Sequence, residues 1–145
     1  MTETERSAEE RRALWAEKAV AKHNEGFNCA QSVFMILAAQ GGYPQAEAAK
    51  LMQSFGAGMA MGETCGAFTG AIAALGLLAA PVTPGNLEEK EAHARRVRAM
   101  AEKFRAACGA LRCADMRPED SEVRRAVCGG YIRAGVRIAA EELGL

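Results

Sequence analysis

The sequence predicts an all-α protein, a single-domain bundle of about five to six helices, and three observations carry that expectation. Its composition sets 31 alanines against only 16 valine, isoleucine and threonine residues together, which favours helix over sheet. Apolar residues recur with the 3.6-residue helical period. Glycines, prolines and capping residues fall between those periodic stretches, where helices should start and stop. A chain of 145 residues suits one domain, 1–145, able to bury roughly 68–70% of its unfolded surface. Residues 1–6 read as a loose N-terminal tail.

Six helical segments follow in order. The first covers 7–24, with Ser7 and Glu10 spaced as a capping box and Trp15, Ala16, Ala19 and Val20 as the apolar face. Asn28 is a good N-cap for the second, whose inner face is Cys29, Val33, Ile36 and Leu37 before Gly41 and Gly42 stop it. A short third opens near Pro44 and carries Ala48, Leu51, Met52 and Phe55. After a glycine-rich link over 54–63, the fourth starts at Thr64 or Cys65 and ends before Pro81. The fifth spans 87–111 with the stripe Val97, Met100, Ala101, Phe104, Cys108 and Leu111. A turn containing Pro118 leads to the sixth, 121–143, with Val123, Val127, Tyr131, Ala134 and Ile138 expected inward.

Charge and hydropathy narrow the function classes. Eighteen basic and 18 acidic side chains balance, so no excess of cations exists to neutralise nucleic-acid phosphates. The 24 residues 64–87 carry no charge, but they are mostly Ala and Gly and end at prolines. Their strongly apolar centre, 71–80, is too short for ~30 Å of hydrocarbon at ~1.5 Å per residue, so a buried helix is expected and not a membrane span. The polar, doubly signed N-terminus lacks an apolar signal region. The expected location is cytoplasmic, where thiols stay reduced and five cysteines point to redox or metal chemistry.

Those cysteines are far apart, and none forms a C-x-x-C pair, which excludes thioredoxin and zinc-ribbon patterns. Cys29 follows Asn28 and Cys65 follows Thr64, which places both sulfurs in the first turn of a helix, where free N–H groups favour thiolate. Cys65, flanked by Gly62 and Gly66, is the preferred attacking thiol on this reading. Cys108 lies on an apolar stripe and reads as packing. Cys113 is off that stripe, so it belongs to the helix end or the next turn. Cys128 shares a seam with Ile132, Gly135 and Ala139 that would admit another backbone. The glycines Gly56, Gly58, Gly62, Gly66 and Gly70 fit no nucleotide loop and read most simply as close packing. His23 could assist a thiol or ligate a metal, although a plain helix-end residue is the simpler reading; His93 and the Arg95, Arg96, Arg98 run read as solvated.

The segments Gly26-Phe27-Asn28-Cys29-Ala30-Gln31-Ser32-Val33, Cys65-Gly66-Ala67-Phe68-Thr69-Gly70 and Gly109-Ala110-Leu111-Arg112-Cys113, followed by Cys128, resemble the C_GCAxxG_C_C family of small four-cysteine proteins described as redox-active. The resemblance implies site residues Cys29, Cys65, Cys113 and Cys128, with Cys108 left over. Two functions are compatible with four such thiols. One is thiol–disulfide or electron-transfer chemistry with a redox partner or small-molecule substrate. The other is a site in which the four thiolates hold zinc or an iron–sulfur cluster. Cysteine pairing and any homo-oligomer stay open.

Overall fold

The computed structural model describes residues 2–145, and residue 1 of the expected 1–6 tail lies outside them. Its elements are α1 (Glu3–Asn24), α2 (Cys29–Ala39), α3 (Gln45–Leu51), a single turn Gly58–Gly62, α4 (Gly66–Leu78), α5 (Leu87–Cys108), α6 (Cys113–Met116) and α7 (Ser121–Leu143). The all-α class holds, with eight helical elements among the described residues instead of five to six. The two unanticipated ones are the turn inside the glycine link and the four-residue α6, both too short to show a helical period. α1 begins at Glu3, so Ser7 is an interior residue whose hydroxyl accepts a hydrogen bond from Arg11 and not a cap. α5 ends at Cys108 and not near Leu111, because Gly109 turns left-handed at φ +91°. Among the described residues no helix is long and apolar enough to cross a membrane.

α4 is the centre of the bundle, packed mainly between α2 and α7, with α1 and α5 outside. Its glycines make that possible. A Cβ on Gly70 would stand 2.6 Å from the Ala30 carbonyl oxygen of α2, and one on Gly135 of α7 would stand 2.6 Å from the Ala67 carbonyl of α4. Three backbones therefore meet with no side chain between them; within the uncharged 64–87 stretch, residues 66–78 form α4 with Ala67, Ala71, Ala74 and Leu75 at 0% exposure, and 80–86 are an exposed loop. Phe34, Phe104, Met100, Leu37, Ile132 and Val136 fill the rest of the core.

The inner face of α7 differs from the expected stripe. Ile138 is buried as expected, but Val123 is 51% exposed, Val127, Tyr131 and Ala134 are half-buried, and Ile132, Gly135, Val136 and Ala139 are buried instead. The small-residue seam wins because it allows backbone contact with α4, which larger Tyr131 and Val127 would prevent. In α3, Ala48 and Met52 face inward but Leu51 is 55% exposed.

Candidate functional site

The start of α2 is built by local hydrogen bonds that the sequence encodes residue by residue. Asn28 caps the helix: its Oδ1 accepts from the Gln31 N–H at 2.8 Å, and Gln31 Oε1 accepts from the Asn28 N–H at 2.9 Å. The same side chains reach the following segment, where Asn28 Nδ2 donates to the Gln53 carbonyl at 3.1 Å and Gln31 Nε2 to the Ala49 carbonyl at 2.8 Å. Buried Ser32 donates to the Asn28 carbonyl at 2.7 Å. Cys29, the first helical residue, is thereby held with its sulfur against α4. A Cβ at Gly66 would lie 2.4 Å from Cys29 Sγ, so only glycine leaves the sulfur its place.

Cys65 and Cys113 are brought together by a device with no helical signature. Residues Thr64 and Arg112 form an isolated antiparallel β-bridge. It is closed by Cys65 N–H donating to the Leu111 carbonyl at 2.7 Å and Cys113 N–H to the Glu63 carbonyl at 2.6 Å. Each cysteine follows its bridge residue by one position, so both side chains leave on the face opposite Thr64 and Arg112. Cys65 is the N-cap of α4 and Cys113 the first residue of α6.

The turn before the bridge is left-handed. Ala57, Met59 and Ala60 have φ values of 53°, 59° and 61°, and Gly58 lies between them at 62°. For residues with a Cβ this conformation costs about 1–2 kcal/mol each, strain that surrounding contacts must offset. Those contacts lie on the cysteine side: the Gly58 position faces Cys113 Cβ, and Gly62 faces Ala114. The glycine-rich link is therefore a defined wall of the site.

Cys29, Cys65, Cys113 and Cys128 line one cavity of ≈ 210 Å³, together with His23, Asn28, Ala57, Met116, Arg117, Arg124 and Tyr131. Cys108 does not line it and packs against the core instead. Sequence reasoning assigned no site role to Arg117, Arg124 or Tyr131. The signal was available: Arg117 follows Cys113 by four residues, and Arg124, Cys128 and Tyr131 stand at i, i+4 and i+7 on α7, one helical face. Tyr131 also ties α7 to α6, its hydroxyl donating to the Met116 carbonyl at 3.1 Å.

Electrostatics distinguish the four sulfurs. Burial pushes the Cys65 thiol up to about 12, and the Cys29 sulfur adds to the shift; the N–H groups of Ala67 and Phe68 pull the other way and lose. Burial thus opposes the Cys65 thiolate that a helix start would favour. Its helix-start position is real, but only 5% of the residue is exposed, and desolvation of the charged form outweighs the terminal dipoles. Burial likewise raises Cys128 to about 11, with Cys29 and then Cys113 contributing. Cys113 is raised by burial, opposed first by the positive charge of Arg117. Cys29 is half-buried, and its sulfur adds to the upward shift of each of the other three. His23 is lowered by burial and then by Arg125, and among the described residues its buried Nδ1 has no hydrogen-bond partner.

A single tetrahedral zinc needs four ligands within about 2.3 Å of one point. Among the described residues no three His, Cys, Asp or Glu side chains converge in that way.

The family model described as "Putative redox-active protein (C_GCAxxG_C_C)" matches residues 27–142. No curated protein and no solved structure matches the chain.

Proposed function

The chain belongs to the C_GCAxxG_C_C family, and from that membership we propose that it performs thiol–disulfide exchange in the four-cysteine cavity, with Cys29 as the attacking sulfur. The observation that carries this reading is the placement of four free thiols around one cavity, with Cys29 more open than Cys65 and Cys113. The Cys29 thiolate attacks one sulfur of a disulfide R–S–S–R; that bond breaks, and RS⁻ leaves with the electron pair. Cys65 then gives up its proton and displaces the second RS⁻ from Cys29. The products are a Cys29–Cys65 disulfide and two reduced thiols, so two electrons pass from the protein to the substrate. The Cys65 proton leaves with the departing thiolate as RSH. Cys113 and Cys128 complete the apolar thiol lining.

Titrating free thiols before and after treatment of the reduced chain with an organic disulfide tests the reading. Two of the five thiols should disappear and return with a dithiol reductant. In Cys29→Ser the reversible loss should vanish, while Cys108→Ala should retain it. Undiminished cycling in Cys29→Ser would remove Cys29 from the reaction.

The spread of four sulfurs around ≈ 210 Å³ also favours a second reading, in which they hold an iron–sulfur cluster. Anaerobically purified protein distinguishes the two: a cluster absorbs in the visible and carries iron and sulfide, whereas a thiol protein is colourless.

A further inference from the structure

We propose that the cavity selects anionic substrates, small disulfides or thiols that carry a carboxylate, through the guanidinium groups of Arg117 and Arg124. This inference rests on the thiol-exchange reading and names its substrate class. The cavity wall contains two arginines and no Asp or Glu. Five arginines elsewhere pair with carboxylates: Arg96 with Glu142, Arg98 with Glu91, Arg105 with Glu102, Arg112 with Glu63 and Asp115, and Arg133 with Glu17. The two cavity arginines have no such partner among the described residues. Among the described residues the Arg117 side chain has neither an ion pair nor a hydrogen bond, although Glu119 and Asp120 lie close in sequence. Arg124 is fixed by donating from Nε to the Pro118 carbonyl at 2.8 Å and from Nη2 to the Glu119 carbonyl at 2.6 Å. That anchoring leaves Nη1 without a partner on a side chain that lines the thiol cavity.

The two cations therefore form a fixed and a movable donor beside the reacting sulfurs. A guanidinium binds carboxylate in a forked, charge-assisted geometry, and its binding strengthens where the surroundings are apolar. The space matches a small group. At ≈ 210 Å³ it falls below the ~300–1,000 Å³ of sites that enclose whole drug-sized ligands, so it admits one sulfur-bearing end of a molecule. Exposed Arg117 marks the side from which that end enters. A cationic disulfide meets the same charges as repulsion.

The experiment compares three disulfides against the reduced full-length chain: dianionic 5,5′-dithiobis(2-nitrobenzoate), neutral 2,2′-dithiodipyridine and dicationic cystamine. Rate constants are divided by those for the urea-unfolded chain, which removes differences in intrinsic electrophilicity. The folded protein should favour the anion over the cation by about tenfold or more at low salt, a preference that added salt erodes. Arg117→Gln should reduce the preference several-fold, Arg117→Glu should abolish or reverse it, and Arg117→Lys should largely restore it. Because the Arg117 side chain is exposed and makes no hydrogen bond or ion pair among the described residues, these variants test charge without threatening the fold. Arg95→Gln, which removes a cation from α5, should leave the ratio unchanged. A charge-independent reaction, or a preference untouched in Arg117→Glu, overturns the inference while leaving thiol exchange intact. Failure of all three disulfides to react with the cavity thiols overturns the thiol-exchange reading itself, and the substrate class falls with it.

Discussion

Gly70→Ala and Gly135→Ala should each destabilise the protein by about 2–3 kcal/mol, whereas Gly76→Ala in the same helix as Gly70 should stabilise it by about 0.5–1 kcal/mol. A methyl on Gly70 would sit 2.6 Å from the Ala30 carbonyl oxygen and 3.2 Å from Val33 Cβ; one on Gly135 would sit 2.6 Å from the Ala67 carbonyl oxygen. Both obstacles are backbone, which cannot rotate aside. α4 cannot retreat from α2 without pressing on α7, so the clash at either glycine is transmitted to the other contact. Gly76 is exposed with nothing within 4 Å of a built Cβ, so alanine there only removes the entropic penalty of helical glycine. Chemical denaturation of the three variants measures the sign directly. Equal small effects at all three positions would show that the helices are not in backbone contact.

The second large effect concerns pH. The reduced protein should lose stability as pH rises above about 9, and Cys65 should account for a large share. Its thiol is raised from an ordinary 9.0 to about 12, so the fold holds the protonated form more strongly than the unfolded chain does. The contribution is complete below the unfolded value and is lost as pH climbs from 9.0 towards about 12, by up to about 4 kcal/mol in all. By about pH 10.5 the loss from this group alone is about 2 kcal/mol. Lysine and tyrosine titrate in the same window, so the informative quantity is the difference in slope between wild type and Cys65→Ala under reducing conditions. A flatter alkaline slope in the variant is expected. Parallel slopes would mean that Cys65 ionises in the fold as readily as in the unfolded chain.

Most of the bundle was legible because its signals are local. The Asn28 cap with Gln31, the placement of Cys29 at a helix start and the burial of Met100, Ala101 and Phe104 on one stripe need only a few neighbouring residues. The position of Cys108 outside the cavity follows from that same stripe. What the pattern could not show are pairings between distant segments. The Thr64–Arg112 bridge joins two stretches separated by α4 and α5, and neither alone reads as a strand. The left-handed residues Ala57, Met59 and Ala60 violate local preference and are held there by tertiary contacts, so no propensity argument finds them. The desolvation of Cys65 is hidden for a related reason. A helix start is visible in sequence, whereas the packing that desolvates its sulfur is not. Arg124 and Arg117 could have been found by asking what stands four residues from each cysteine.

We propose that four separated cysteines act as one site, with Cys29 leading. Oxidation of the reduced chain by about one equivalent of a small disulfide, followed by alkylation of the remaining thiols and peptide mass analysis, tests this. The expected product is an intrachain Cys29–Cys65 disulfide, with Cys108 recovered as the alkylated thiol. A product in which Cys29 stays free, or in which the principal crosslink involves Cys108 or a second chain, would contradict it.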